Sequence, residues 1–191
     1  MAYIIVISVS AFLIALGNFL ASGVYTFASF GTLLLTTALG VASIVVLDGI
    51  LAFLLRRLPE KWFAPTLRAF FVSKKEARLY RRLGIRKWKK YVPELGCFTG
   101  FRKDKLRDAR SAVYLGRFLL ESNYGVAGHV AGALLGFLIL CLPFLPPSVA
   151  LPIALVNFIL NLLPTAILRA NTPALRHLYK QSLSAEGTER A

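Results

Sequence analysis

The chain has 191 residues, 57% of them hydrophobic, and a mean hydropathy of +0.64, which excludes an ordinary soluble domain of this size. A formal charge of +14, spread evenly, would suggest a nucleic-acid partner, but residues 1–55 hold no Lys or Arg and 19 of the 23 fall within residues 56–117. Basic blocks bounded by apolar blocks are the pattern of a membrane protein with its charge on one side.

Two apolar runs open the chain, from about Tyr3 to Val24 and from about Leu33 to Leu55. Each meets the roughly 20 residues needed to cross about 30 Å of hydrocarbon. The first lacks a basic n-region and exceeds a usual signal-peptide core, so a retained span is expected. Asp48 lies within the second run. An ionisable group there is either a functional group or the partner of a polar group on another helix.

The central segment is strongly basic. Ser73 with Glu76 fits a capping box, predicting a helix to about Leu83 that stops at Gly84. A short helix over Ile85 to Val92, ended by Pro93, sets Ile85, Trp88 and Val92 on one face, with Arg86, Lys87, Lys89 and Lys90 around it. Trp at the bilayer interface and about 1 kcal/mol per cation near anionic lipid make this either a surface anchor or a cradle for a phosphate-bearing substrate. No aromatic platform or binding motif accompanies the charge, so nucleic acid is not an expected partner. A further helix is expected from about Arg102 to Glu121, turning into the membrane near Gly125.

A third span is expected from about Val126 to Leu145 and a fourth from about Ser148 to Leu168. Glu121 and His129 flank the start of the third, roughly 12 Å apart along a helix and about 80° apart around it. His129 is suited to act as a general base near neutral pH, or to make a packing hydrogen bond between spans. The small residues of this run, with Gly128 and Gly132 four apart, suit close helix packing. In the fourth span Asn161 is a polar group at membrane depth, Pro164 predicts a kink, and Arg169 marks the interfacial edge. Asn171-Thr172-Pro173 is expected to end the helix. Positive charge on the central segment and tail places both termini in the cytoplasm of a multi-pass cell-membrane protein. Cys97 and Cys141 lie in different environments, so no disulfide is expected, and no metal motif or cofactor signature is present.

Residues 56–178 resemble the glycosyl-4,4'-diaponeurosporenoate acyltransferases of carotenoid biosynthesis. The resemblance rests on "IRKWK" followed by Pro93 and Gly96, and on Asn161, Arg169, Asn171, Pro173 and Leu175, which match an N…R-x-N-x-P-x-L pattern. Between them the family's E-T-x-R-A-E-x-x-H-W-like stretch reads "ESNYGVAGHV", with Glu121 and His129 matching its ends and Tyr124, Val126 and Val130 departing from it. If the second Glu of that stretch orients the histidine in the family, its loss here leaves His129 without that in-helix partner. The resemblance implies transfer of an acyl group, from acyl-CoA or a similar donor, onto a glycosylated or lipid-linked isoprenoid.

The reading is an all-α integral membrane protein with four transmembrane helices and a basic segment of interfacial amphipathic helices. Its parts are an N-terminal membrane hairpin (1–57), the basic cytoplasmic segment (58–124), a C-terminal hairpin (125–170) and a tail (171–191). His129 is the expected base and Glu121 its polarising neighbour. Arg86, Lys87, Trp88, Lys89, Asn161, Arg169 and Asn171 are the expected substrate-binding residues. Membrane lipid is the expected partner, and the small-residue face also suits a homo-oligomer or a subunit of a membrane complex. The competing reading is a non-enzymatic membrane scaffold docked on anionic lipid or on a protein.

Overall fold

A computed structural model describes residues 2–92, 106 and 108–188. Pro93, Gly96, Cys97 and most of the stretch from Arg102 to Arg107 lie outside the described residues. Among the described residues six α-helices run in the order α1 Ala2–Ser22, α2 Phe27–Arg57, α3 Lys74–Arg82, α4 Ile85–Trp88, α5 Ala112–Leu135 and α6 Pro147–Thr188, and no strand occurs. The fold is all-α, and four helices (α1, α2, α5 with its extension, and α6) are long and apolar enough to cross a membrane.

Local chemistry sets the ends of these helices. Gly23, at φ +69°, closes α1, and the Ser22 hydroxyl accepts from the Val24 amide at 3.1 Å. Thr26 and Ser29 then cap each other: the Ser29 amide donates to Thr26 Oγ1 at 3.1 Å and the Thr26 amide to Ser29 Oγ at 3.3 Å. That reciprocal box starts α2 at Phe27, six residues before the expected Leu33. The helix expected from about Arg102 to Glu121 is helical among the described residues only from Ala112. Asp108 Oδ1 accepts from the Arg110 and Ser111 amides, Ser111 Oγ accepts from Tyr114, and α5 begins at Ala112. Side chains that cap amides compete with continuing the helix backward. Past Leu135 the chain tightens into a 3-10 segment, Gly136–Cys141. The short basic helix is likewise divided, α-helical over Ile85–Trp88 and 3-10 over Lys89–Tyr91.

The expected break at Asn171-Thr172-Pro173 does not occur, because α6 continues to Thr188. A proline inside a helix costs about 3 kcal/mol in isolation. Here Leu175, beyond the proline, is buried with Phe118 and Leu119, and Tyr179 packs on the same cluster. Thr172 Oγ1 donates to the Leu168 carbonyl at 2.9 Å. Tertiary packing on the far side holds the helical path that the sequence alone would abandon.

The chain forms two compact units, one from residues 1–55 with 128–162 and the other from residues 56–127 with 163–191. The first has a core of Ile44, Ile139, Leu145, Val149, Ile153 and small alanines. Gly40 allows close approach there, since a Cβ would lie 2.8 Å from Ile153 Cδ1. Its outward residues are apolar: Ile4, Leu13, Phe27, Leu35, Val46 and Leu134 are all exposed. An apolar exterior around a core that includes buried Thr37 and Asn157 suits lipid as the surrounding solvent.

The second unit carries the charge. Ile85 is buried and Phe63 stacks on Tyr124 with centroids 4.0 Å apart. Asn123 Nδ2 donates to the Phe63 carbonyl at 2.8 Å, and the Tyr124 hydroxyl to the Leu58 carbonyl at 3.2 Å. Tyr124, one of the departures from the family stretch, is therefore a packing residue.

Candidate functional site

Membrane depth makes unsatisfied polar groups expensive, so polar side chains on apolar helices are held by one another. In the first unit four of them do so. Asn157 and Asn161 sit one turn apart on α6, His129 and Gly132 on α5, and Asp48 on α2. Asn157 Nδ2 donates to the Gly132 carbonyl at 3.1 Å. Asn161 Nδ2 donates to the Asn157 carbonyl at 3.1 Å, to Asn157 Oδ1 at 3.0 Å and to Asp48 Oδ2 at 3.2 Å. Asn161 Oδ1 lies 2.9 Å from His129 Nδ1.

Two backbone carbonyls fix the direction of this chain. A carbonyl only accepts, so the Gly132 and Asn157 carbonyls orient the amide nitrogens of Asn157 and Asn161 toward themselves. Asn161 Oδ1 then faces His129 as an acceptor. His129 must place its proton on Nδ1, which puts the lone pair of the neutral ring on Nε2. His129 is thus oriented by a side chain of α6.

Glycines on α5 and at the start of the 3-10 segment that follows it make the room. A Cβ at Gly132 would lie 2.8 Å from Asp48 Oδ1 and 3.2 Å from both Asn161 side-chain heteroatoms, and one at Gly136 would meet Asn157 Nδ2. At Gly128 the nearest atom is Leu55 Cδ1, at 3.8 Å. The close approach expected of Gly128 and Gly132 is thus carried by Gly132 and Gly136, and it accommodates polar side chains.

In the second unit the expected residues fall into two groups. Glu121 is buried, and its carboxylate binds Arg56 at 2.7 Å and Arg117 at 2.9 Å, with Arg117 also reaching Glu60 at 2.7 Å. Arg169 pairs in bidentate fashion with Glu76, through Nε–Oε1 and through Nη2–Oε2 at 2.9 Å, and donates to the Phe71 carbonyl at 3.2 Å. Ser73 caps α3 as expected, accepting from the Glu76 amide at 3.1 Å. The Tyr80 hydroxyl donates to Glu76 Oε1 at 2.6 Å. The Arg169 guanidinium, with smaller help from Tyr80 and the Ser73 backbone, holds the Glu76 carboxyl below its ordinary range. Burial, then the Glu76 carboxylate, pushes the Tyr80 phenol up to about 12.

Lys89 Nζ donates to Asn171 Oδ1 at 3.4 Å, which brings two expected binding residues together. Arg86 and Lys87 are exposed beside them, and Trp88 Nε1 donates to the Leu83 carbonyl at 3.0 Å. Arg176 stacks on Phe71, its Cζ 3.4 Å from the ring centroid.

Sequence reasoning did not name Glu76, Tyr80, Arg56 or Asn157 as site residues. Only Asn157 left a signal, as an Asn one turn before Asn161 in an apolar run. The others sit among charges where no spacing marks a tertiary partner.

A family model described as CrtO, glycosyl-4,4'-diaponeurosporenoate acyltransferase, matches residues 59–181, well over half of the chain. Comparison with curated proteins and with solved structures returns no match.

Proposed function

The chain belongs to the glycosyl-4,4'-diaponeurosporenoate acyltransferase family of carotenoid biosynthesis, and we propose that it esterifies a hydroxyl of a glycosylated isoprenoid with a fatty acyl group from acyl-CoA, at the cytoplasmic leaflet of the cell membrane. The observation that carries the base assignment is the His129–Asn161 bond at 2.9 Å, which fixes the ring so that Nε2 bears the lone pair.

In the reaction His129 Nε2 takes the proton of the acceptor hydroxyl while its oxygen attacks the thioester carbonyl. The tetrahedral intermediate expels the thiolate as the C–S bond breaks. The imidazolium returns the proton to that sulfur, leaving an ester and free CoA thiol. An amphiphilic acceptor presents its sugar at the interface and its polyene to the bilayer, as an apolar exterior suits.

Arg86, Lys87 and Lys89 supply exposed cations for the phosphates of the donor, and Trp88 seats their segment at the interface. Arg169 and Asn171 hold that segment to α6, Arg169 through Glu76 on α3 and Asn171 through Lys89. Glu121 is neutralised by Arg56 and Arg117 and anchors the charged end of α5.

The test is acyl transfer from a radiolabelled long-chain acyl-CoA onto glycosyl-4,4'-diaponeurosporenoate in vesicles containing the protein. His129→Ala should lower kcat by roughly 10²–10⁴ while the protein stays folded. Wild-type turnover by that variant would overturn the base assignment, and no transfer by the wild-type protein would favour the scaffold reading.

A further inference from the structure

Asp48 precedes the segment matched by the family model, and the proposed chemistry gives it no task. It is nevertheless tied to the base. One oxygen, Oδ2, accepts from the same Asn161 amide whose Oδ1 meets His129. The other, Oδ1, is buried with no hydrogen-bond partner and lies where only a glycine at 132 leaves space.

An acid placed in an apolar helix with one oxygen unsatisfied is a poor packing solution. Serving as an acceptor for Asn161 would require only one neutral oxygen, and Asn157 already supplies two acceptors, its carbonyl and Oδ1. What Asp48 adds in its ionised form, and an amide would not, is negative charge on the far side of Asn161.

We propose that Asp48 is a positioning residue of the transfer reaction, acting through Asn161 to stabilise the imidazolium that forms on His129. The charge of Asp48 polarises the Asn161 amide, making Oδ1 a stronger acceptor as the ring gains its second proton. No proton leaves the ring toward Asp48. The acceptor proton enters at Nε2 and departs to the thiolate, while Nδ1–H remains hydrogen-bonded to Asn161. The inference rests on the acyltransferase reading of His129 given above.

The test uses the full chain in nanodiscs with 15N-labelled histidine, and kinetics with labelled long-chain acyl-CoA. The chain has two histidines, and a His177→Gln variant assigns their signals. Wild-type His129 should show the Nδ1–H tautomer in its neutral form, and Asn161→Leu should shift it to Nε2–H. Asp48→Asn keeps an acceptor for Asn161, so the tautomer should persist while kcat falls roughly 10–100-fold with KM unchanged. Asp48→Glu should recover a large part of that loss, which a purely steric role would not predict.

Wild-type kcat in Asp48→Asn, with His129→Ala inactive, would overturn the role of Asp48 and leave the base assignment intact. An active His129→Ala would remove both. Should Asp48→Asn fail to fold, an Nε2–H tautomer in the wild-type protein would still refute the relay, because it would reverse the His129–Asn161 bond.

Discussion

Gly132→Ala and Gly128→Ala form a matched pair on one helix, and their difference tests the polar cluster directly. Both replace a helical glycine by alanine, which by propensity alone favours the helix by about 1 kcal/mol. That term cancels between them. At Gly128 the new methyl meets one side-chain atom at 3.8 Å, an ordinary contact. At Gly132 it would lie 2.8 Å from Asp48 Oδ1 and 3.2 Å from Asn161 Nδ2 and Oδ1, so at least one polar side chain must move. Overpacking of this kind costs about 1–3 kcal/mol. Gly132→Ala should therefore be less stable than Gly128→Ala by about 1–3 kcal/mol, or roughly 2–12 °C in Tm for a chain of this length. Thermal unfolding in nanodiscs followed by circular dichroism reads this difference. The 15N signal of His129 should change only in Gly132→Ala. Equal melting temperatures and an unchanged histidine signal would mean that α5 does not approach Asp48 and Asn161 as described.

Because Arg169 lowers the Glu76 carboxyl below its unfolded value, that pair contributes stability fully above the ordinary carboxylate range and loses it as pH falls through the lowered value. Melting curves from about pH 7 to about pH 3 should fall more steeply for wild type than for Glu76→Gln, and parallel curves would refute the pairing. Changing Arg86, Lys87, Lys89 and Lys90 together to Gln should weaken binding to anionic vesicles by up to about 1 kcal/mol per charge, read by co-sedimentation, whereas unchanged binding would make the segment a solvated face. Cysteines introduced at residues 27–31 should label with an impermeant reagent from outside intact cells and cysteines at 108–111 should not; the reverse pattern would invert the proposed orientation.

The Ser73 cap, the Gly84 stop and the four apolar helices were legible because each depends on residues a few positions apart. The N-terminal start of α2 was missed because the Thr26–Ser29 box is less conspicuous than the hydropathy around it. His129 and Asn161 could be named as candidates, but their bond spans 32 positions of sequence. The same holds for Arg169, which reads locally as an interfacial anchor and finds Glu76 at a separation of 93.

By itself the sequence determined membrane residence, the all-α class, the basic central segment and the family, since composition, run length and motif spacing are local properties. Only the tertiary structure decided that α6 passes through Pro173, that Glu121 is neutralised by arginines, and that Asp48, Asn157, Asn161 and His129 form one hydrogen-bonded chain. The physical reason is the same in each case. A proline, a carboxylate or an amide within a helix or a packed core has a fixed local penalty, and whether it is offset depends on which distant side chain packing delivers to it.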